Sequence, residues 1–277
     1  MTLRRLEQAI APTNDPARPR VRGVLVAAHP DDEVIGAGAT LTWMQPVAII
    51  HLTDGAPRNG SDARNAGFHT ASDYAVTRRH ELAAALALGG VRSERISLGL
   101  VDQEVSLDLP GAVARLYRHI CELQPEVILT HCYEGGHPDH DAAAWVVAAV
   151  QRLLTAGEMT PTVGEFTSYH ADEAGGWNTG FLRYGDSPVF THVLSAEERD
   201  LKRAMIRCFR TQQRVLEPFP IDVEQFRVAP RYDFSRPPHV GQLYYERFDW
   251  GMTGDRWRAL AAAAQDVLGE GPYESWH

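Results

Sequence analysis

Two stretches of the sequence each join a buried strand to a cluster of metal-type ligands. In the first, residues 21–27 form a short apolar run rich in β-branched residues, which predicts a buried strand. Residues 28–33 follow directly and read Ala-His-Pro-Asp-Asp-Glu. Three adjacent carboxylates repel one another and are costly to desolvate, and a cation such as Zn²⁺ would relieve that conflict. The alternative is a solvated acidic turn in which Asp31 or Asp32 caps a helix over residues 33–44.

The second stretch favours the metal interpretation. Residues 126–131 predict another buried strand, and residues 132–141 read Cys-Tyr-Glu-Gly-Gly-His-Pro-Asp-His-Asp before a helix over residues 142–154. In an open parallel sheet, the carboxyl ends of the strands form the ligand crevice. Two clusters of histidine and carboxylate at two such strand ends can meet over one ion. The sequence therefore predicts a shared metal site.

Composition limits the classes of partner and compartment. Asp plus Glu at 36 against Lys plus Arg at 27 gives a net charge of −9, which disfavours nucleic acid or an anionic membrane as the main partner. The three cysteines are too few and too scattered for a disulfide scaffold or a cysteine zinc site. With no signal-peptide core and no run approaching about 18 apolar residues, we expect a cytoplasmic protein without a membrane span.

The order of the predicted elements indicates the fold. From residue 21, apolar strands alternate with helical periods, which predicts a Rossmann-like open α/β sheet, mostly parallel, with helices on both faces. Residues 1–20 are expected to be a loosely held arm, and residues 21–277 a single domain whose last part, about 215–277, is a wrapping extension. Further strands are predicted over 47–53, 96–100, 163–170 and 189–194, and further helices over 74–88, 110–123, 139–154, 195–214 and 257–268.

A family resemblance rests on the two clusters together. Residues 28–33 and 137–140 resemble the two signature motifs of the PIG-L/LmbE-like de-N-acetylases, and a weaker similarity covers residues 21–155. That family includes deacetylases of N-acetylglucosaminyl-phosphatidylinositol, of mycothiol and bacillithiol precursors, and of some glycopeptide antibiotics. The resemblance implies a zinc-dependent hydrolase that removes acetyl from an N-acetylglucosamine-type conjugate or a related small metabolite.

The resemblance also implies roles for individual residues. It places one zinc ion per chain, with iron or cobalt as the alternative metals, on His29, Asp32 and His140. Asp31, the first acid of the pair, matches the general base that deprotonates the metal-activated water. His137 matches the donor that stabilises the oxyanion, held protonated or hydrogen-bonded by a neighbouring acid. Either Asp139 holds His137 in this way or it caps the helix that follows.

Two residues are candidates for substrate binding. Arg78 resembles the arginine that the family presents from a helix to the sugar, and the alternative is a surface pair with Glu81 along the helix. Asp102 matches the position at which relatives bind sugar hydroxyls, and the alternative is a turn residue. Gly36 and Gly38 form only a fragment of a dinucleotide motif, and the preceding acids argue against a pyrophosphate there.

Several weaker expectations complete the analysis. The strand-end histidines at positions 51, 131 and 170 are expected to be hydrogen-bonded structural residues, and Asp54 a turn residue. The loops over residues 57–70 and 171–187 are expected to set selectivity. The competing functions are an amidase for a larger thiol or glycoconjugate, a phosphoesterase, and a non-catalytic metal or sugar binder. A homo-oligomer is compatible with the sequence.

Overall fold

A central sheet with helices on both sides organises the chain. The computed structural model describes residues 2–12, 20–157, 159–172, 176–185 and 187–270. The strands are β1 (Gly23–Ala27), β2 (Ala48–Thr53), β3 (Glu94–Leu100), β4 (Val127–His131), β5 (Thr162–Phe166), β6 (His170–Ala171), β7 (Trp177–Asn178), β8 (Val189–Val193) and β9 (Val223–Val228). The helices are α1 (Thr2–Ile10), α2 (Asp32–Ala37), α3 (Leu41–Met44), α4 (Ser61–Asn65), α5 (Ala71–Leu88), α6 (Leu109–Leu123), α7 (Pro138–Ala156), α8 (Ala196–Ile206), α9 (Gln213–Leu216) and α10 (Gly254–Glu270).

Seven of the strands form one sheet in the order β3-β2-β1-β4-β5-β9-β8. The first five run parallel, whereas β9 is antiparallel to β5 and β8 is antiparallel to β9. The predicted open, mostly parallel α/β fold is therefore confirmed. The strand predicted over residues 163–170 ends at Phe166, and β6 pairs separately with β7.

Alternate side chains of the central strand β1 enter two different cores. On one face Val24 and Val26 pack with α6, α7 and α10. On the other face Leu25 and Ala27 pack with the apolar sides of α1, α2, α5 and α8. A strand buried on both faces explains the unbroken apolar runs in the sequence. None of the helices in the described ranges combines the length and the apolar character needed to cross a bilayer.

The amino-terminal segment differs from the loosely held arm that the sequence predicted. Helix α1 buries Leu6, Ala9 and Ile10 against the sheet, because their spacing places them on one helical face. Gly164 of β5 leaves room for this contact, since a Cβ built there would lie 2.5 Å from Leu6. Residues 13–19 lie outside the described part of the chain.

The helix predicted over residues 33–44 is interrupted, and a distant carboxylate explains the break. Glu224 of β9 accepts hydrogen bonds from the backbone N–H groups of Ala39 and Thr40 at 2.8 and 2.9 Å. It also accepts a 2.7 Å hydrogen bond from the Thr40 hydroxyl. Lys202 of α8 pairs with the same carboxylate at 2.8 Å. The chain therefore forms α2 and α3 rather than one helix.

Three other predictions need correction. The segment expected to wrap around the domain contains β9, which lies inside the sheet between β5 and β8. The helix predicted over residues 195–214 begins at the confirmed capping box of Ser195 and Glu198 but ends at Ile206, and α9 follows after a 3-10 turn. The loop predicted over residues 57–70 contains α4.

Candidate metal centre and active site

The turns that follow β1 and β4 lie side by side at the carboxyl edge of the sheet. Asp32, at the start of α2, lies between two imidazoles: its Oδ1 is 3.1 Å from His140 Nε2, and its Oδ2 is 3.3 Å from His29 Nδ1. All three side chains are buried. Strand order explains this meeting, because β1 and β4 are hydrogen-bonded neighbours although about a hundred residues separate them.

The buried donors fit a divalent cation. One ligand nitrogen from each of His29, His137 and His140 lies within 4.8 Å of the others, and Asp32, His131 and His140 form a second such group. The Nδ1 atom of His140 is buried without a hydrogen-bond partner in the described part of the chain. Burial alone would raise the pKa of Asp32, but His140 and His131 hold that pKa well below its usual range. An ionised carboxylate among imidazoles is a suitable ligand set for zinc and related ions.

His29 is surrounded by carboxylates. Its Nε2 lies 3.0 Å from Asp102 Oδ1 and 3.3 Å from Asp139 Oδ2. Burial lowers the pKa of His29, but the charge and hydrogen bond of Asp102, with those of Asp139 and Asp32, raise it well above its usual value. A metal-bound histidine commonly donates its second ring N–H to a carboxylate. Asp102 and Asp139 are in place to orient His29 in this way.

The Asp139 carboxylate neither contacts His137 nor caps α7, the two roles expected of it. The N-cap of α7 is His137, whose Nδ1 accepts a 3.1 Å hydrogen bond from the Asp139 backbone N–H. The Asp139 carboxylate instead contacts His29 and accepts hydrogen bonds from the backbone N–H groups of Gln103 and Val105 at 2.6 and 3.2 Å. Asp139 therefore connects His29 to the turn after β3.

The contacts of His137 fix its tautomer. Because Nδ1 accepts a hydrogen bond, the ring hydrogen of the neutral imidazole lies on Nε2. Burial and the charges of His29 and His140 lower the pKa of His137 well below its usual value. Of the two states expected for this residue, the structure favours a neutral, hydrogen-bonded donor over an imidazolium.

Asp31 lies beside this cluster in an unusual backbone conformation. Its φ is 141°, a region that residues other than glycine rarely adopt. Its Oδ2 accepts a 2.6 Å hydrogen bond from Arg78 Nη2, and its backbone N–H donates to Glu33. Burial raises the pKa of Asp31 to about 8, with Arg78 opposing the shift and Asp32 adding to it.

The two residues expected to bind substrate lie within the same site. Arg78 is 4% exposed and donates to the carbonyl oxygens of Pro30 and Gly55 as well as to Asp31. It does not pair with Glu81, which accepts hydrogen bonds from Thr211. Burial would raise the pKa of the Asp102 carboxyl, but the charge of His29 brings it below its usual range.

Two of the strand-end histidines have the structural contacts that the sequence predicted. His131 Nε2 accepts a 3.1 Å hydrogen bond from the Ala28 N–H, and its Nδ1 lies 3.2 Å from the Ser168 hydroxyl. Burial and the charge of His140 lower the pKa of His131 to about 4, so the ring is neutral. His51 Nε2 lies 2.9 Å from Glu33 Oε2. His170 lies 3.7 Å from a Glu134 oxygen, beyond hydrogen-bond distance.

An aromatic rim beside the site was missed in the sequence, although residues 218–250 visibly alternate prolines and aromatics. The Trp250 ring centroid is 4.8 Å from that of His137, and the Tyr169 centroid is 5.6 Å from that of His140. Ring contacts connect the members to one another. The aromatic rim consists of Tyr169, Trp177, Phe219, Tyr244, Phe248 and Trp250.

Comparison with known proteins supports the family resemblance. Residues 24–151 match the family model described as PIG-L: GlcNAc-PI de-N-acetylase. The resemblance drawn from the two motifs is confirmed over these residues, which include both motifs.

Two relatives carry the same name, 1D-myo-inositol 2-acetamido-2-deoxy-alpha-D-glucopyranoside deacetylase. The protein from Acidothermus cellulolyticus is 29% identical over 238 residues, which cover 71% of this chain and 81% of the relative. The protein from Streptomyces scabiei is 32% identical over 170 residues, which cover 52% of each chain. This chain therefore spans about half the length of the second relative.

Solved structures share the fold. The N,N'-diacetylchitobiose deacetylase from Pyrococcus horikoshii has a TM-score of 0.54 at 20% identity, covering 78% of this chain and 88% of that one. A zinc-inhibited form of a teicoplanin deacetylase has a TM-score of 0.55 at 17% identity, covering 76% of this chain and 99% of that one.

Proposed function

We propose that this protein is a metal-dependent deacetylase that hydrolyses the N-acetyl group of an N-acetylglucosamine-type conjugate to a free amine and acetate. The observation that carries the proposal is the meeting of His29, Asp32 and His140 in one buried cluster, with Asp31 beside it. The names of the relatives support the reaction and the amino-sugar substrate.

We assign His29, Asp32 and His140 to the metal, with zinc as the first choice. When bound there, the ion supplies Lewis acidity toward the acetamide carbonyl and lowers the pKa of a water molecule. Asp102 and Asp139 orient His29 through its Nε2 atom. In this arrangement Asp32 binds the cation and Asp31 does not.

The other acid of the pair has the position of a general base. Arg78 holds Asp31 Oδ2, while Oδ1 makes no hydrogen bond to the described residues and can accept the proton of the attacking water. His137 presents its Nε2–H from the opposite turn, where it can donate to the oxygen that gains charge as the amide carbon becomes tetrahedral. Transfer of that proton from Asp31 to the nitrogen of the breaking C–N bond releases the free amine, and the acyl carbon leaves as acetate with the oxygen of the water.

The aromatic rim favours a substrate that extends beyond one acetylated sugar. Trp250 beside His137 offers a face against which a sugar ring or an apolar aglycone can pack. An amidase for a larger glycoconjugate is therefore the second candidate.

All three cysteines have free thiols, which supports the reducing cytoplasm as the compartment we propose.

A screen of N-acetylated glycosides for amine and acetate release, with metal analysis of the protein as purified, tests the proposal. We expect Asp31→Asn to retain the metal and to lose activity by at least about 100-fold, because it removes the general base. Asp266→Asn is the matched control, since that aspartate is exposed on α10 and should leave turnover unchanged. Unchanged turnover in Asp31→Asn, or release of phosphate from sugar phosphates without acetate release from amides, would contradict the assignment.

A further inference from the structure

A cavity of about 300 Å³ lies between α5 and the edge strand β3, apart from the ligands of the metal centre. Its apolar wall comes from Leu82 and Ala83 of α5. Its volume is at the lower end of the range for small-molecule pockets. The function proposed above makes no use of this cavity.

The local geometry brings basic side chains from two elements into the cavity. Arg95 and Ser97 are two residues apart on β3 and therefore lie on the same face of the sheet. Arg79 and Ala83 are one turn apart on α5, so they share a face of that helix. Arg79, Arg95 and Ser97 all line the cavity.

The charges of the lining are mostly positive. Arg79, His80 and Arg95 line the cavity together with a single acid, Asp54. Neither Arg79 nor Arg95 has an ion pair with any described residue, although acids exceed bases by nine in the chain. By contrast, the exposed Arg58 pairs with Glu104 at 2.8 Å. Two unpaired guanidinium groups at one cavity are suited to a carboxylate or a phosphate.

A buried histidine gives an independent indication of a ligand. His51 is 3% exposed, lines the cavity, and pairs in register with Ser97. Its Nε2 contacts Glu33, whereas its Nδ1 makes no hydrogen bond within the described ranges. A ring nitrogen without a hydrogen-bond partner, on a side chain that lines the cavity, is available to a polar group of a bound molecule.

We propose that this cavity binds a small organic anion, with its carboxylate or phosphate at Arg79 and Arg95 and a compact apolar body against Leu82 and Ala83. The cavity borders the loop that carries His29 and Asp32, because Pro30 also lines it. Glu33 joins the two regions, since it contacts His51 at 2.9 Å and accepts a 3.2 Å hydrogen bond from the Asp31 N–H.

Calorimetric titration of the full chain at about 0.15 M salt tests the site without any assay of activity. The probes are phenyl phosphate, phenylacetate and the neutral benzyl alcohol. We expect saturable binding of one molecule of phenyl phosphate or phenylacetate per chain and no binding of benzyl alcohol. The double variant Arg79→Ala with Arg95→Ala should weaken the anion at least 10-fold. The control pair Arg118→Ala with Arg214→Ala removes the same charge from exposed positions elsewhere and should bind normally.

A second variant distinguishes this cavity from the metal centre. Ala83→Phe fills the cavity beside Leu82 and keeps both arginines and every proposed metal ligand. We expect this variant to lose anion binding. Its thermal unfolding should show that it is folded. Equal weakening in the two double variants would overturn the proposal, as would anion binding that persists in Ala83→Phe. Absence of saturable binding of both anions to the unaltered protein would also overturn it.

Discussion

Arg78 donates a 2.6 Å hydrogen bond from Nη2 to Oδ2 of Asp31, and both side chains are buried. The same guanidinium donates to the carbonyl oxygens of Pro30 and Gly55, so it ties α5 to the turns after β1 and β2. Asp31 has a φ of 141°, a conformation that persists only when its surroundings hold it. Arg78 thus has the contacts of a residue that positions Asp31, the proposed general base.

Replacing Arg78 by lysine tests that role. Lysine keeps the charge but lacks the planar fork that reaches three acceptors, so Asp31 loses its fixed orientation. We expect kcat to fall at least 10-fold while KM changes less than about 3-fold, as measured by steady-state deacetylation. Arg118→Lys on the exposed side of α6 is the control. A raised KM with unchanged kcat would instead support the substrate contact that the sequence suggested.

Local sequence patterns predicted strands β1 to β5 because each strand is an apolar run that can be recognised without reference to the rest of the chain. An apolar run bounded by turn residues is visible in the sequence, and burial on both faces makes that run continuous. The break between α2 and α3 could not be predicted in this way, because it depends on Glu224, which is 184 residues from Thr40. The place of β9 between β5 and β8 likewise depends on pairing with strands that are distant in the sequence, so local patterns predict a wrapping segment there.

In the candidate site too, the sequence motifs predicted some residues, whereas contacts between distant residues could not be predicted. The two motifs and the family resemblance pointed to His29, Asp32 and His140, which the fold brings together. The spacing of Arg78 and Glu81 suggested a pair along the helix, but Glu81 bonds to Thr211, 130 residues away. The aromatic rim was missed because it assembles side chains from several loops and has no periodic signal.

The buried ion pair of Lys202 and Glu224 should be critical for stability. Lys202→Met leaves the Glu224 carboxylate buried without its cation, and we expect the free energy of unfolding to fall by about 3 to 5 kcal/mol. Chemical denaturation measures the change. Arg203→Met removes the neighbouring exposed pair with Asp200 and should cost less than about 1 kcal/mol. Equal losses in the two variants would contradict this account.

Glu165 should make stability depend on pH. Burial raises its pKa to about 7, despite Arg227 Nε at 3.1 Å and the Tyr232 hydroxyl at 2.8 Å. The pKa of Glu165 in the folded protein lies above its unfolded value of about 4.3, so the folded state favours the protonated carboxyl. The contribution of this group to the free energy of unfolding is therefore fully present below about pH 4 and is lost as pH rises through 7.

Glu165→Gln removes that titration, so urea unfolding of both proteins at pH 5 and pH 8 measures the effect. We expect the stability of the unaltered protein, relative to the variant, to fall by about 2 to 3 kcal/mol between the two values. Urea midpoints that change in parallel would show that Glu165 is already ionised in the folded protein at pH 5.

Trp250 should contribute to substrate affinity if the proposed deacetylase activity holds. Its ring centroid is 4.8 Å from that of His137 and 4.6 Å from that of Phe248, so a glycoside held at His137 can place its aglycone on this aromatic surface. We expect Trp250→Ala to raise KM about 5- to 10-fold for an aryl N-acetylglucosaminide, since an aromatic contact contributes about 1 kcal/mol.

Substrate comparison separates this contact from a general disturbance of the site. Free N-acetylglucosamine lacks the aryl group, so its kcat/KM should change less than about 2-fold in Trp250→Ala, because only the aglycone contact is removed. Val240→Ala is the control variant, since Val240 is 92% exposed and outside the aromatic rim. Equal losses of kcat/KM for both substrates would mean that Trp250 supports His137 rather than the aglycone, since a displaced donor slows every amide alike.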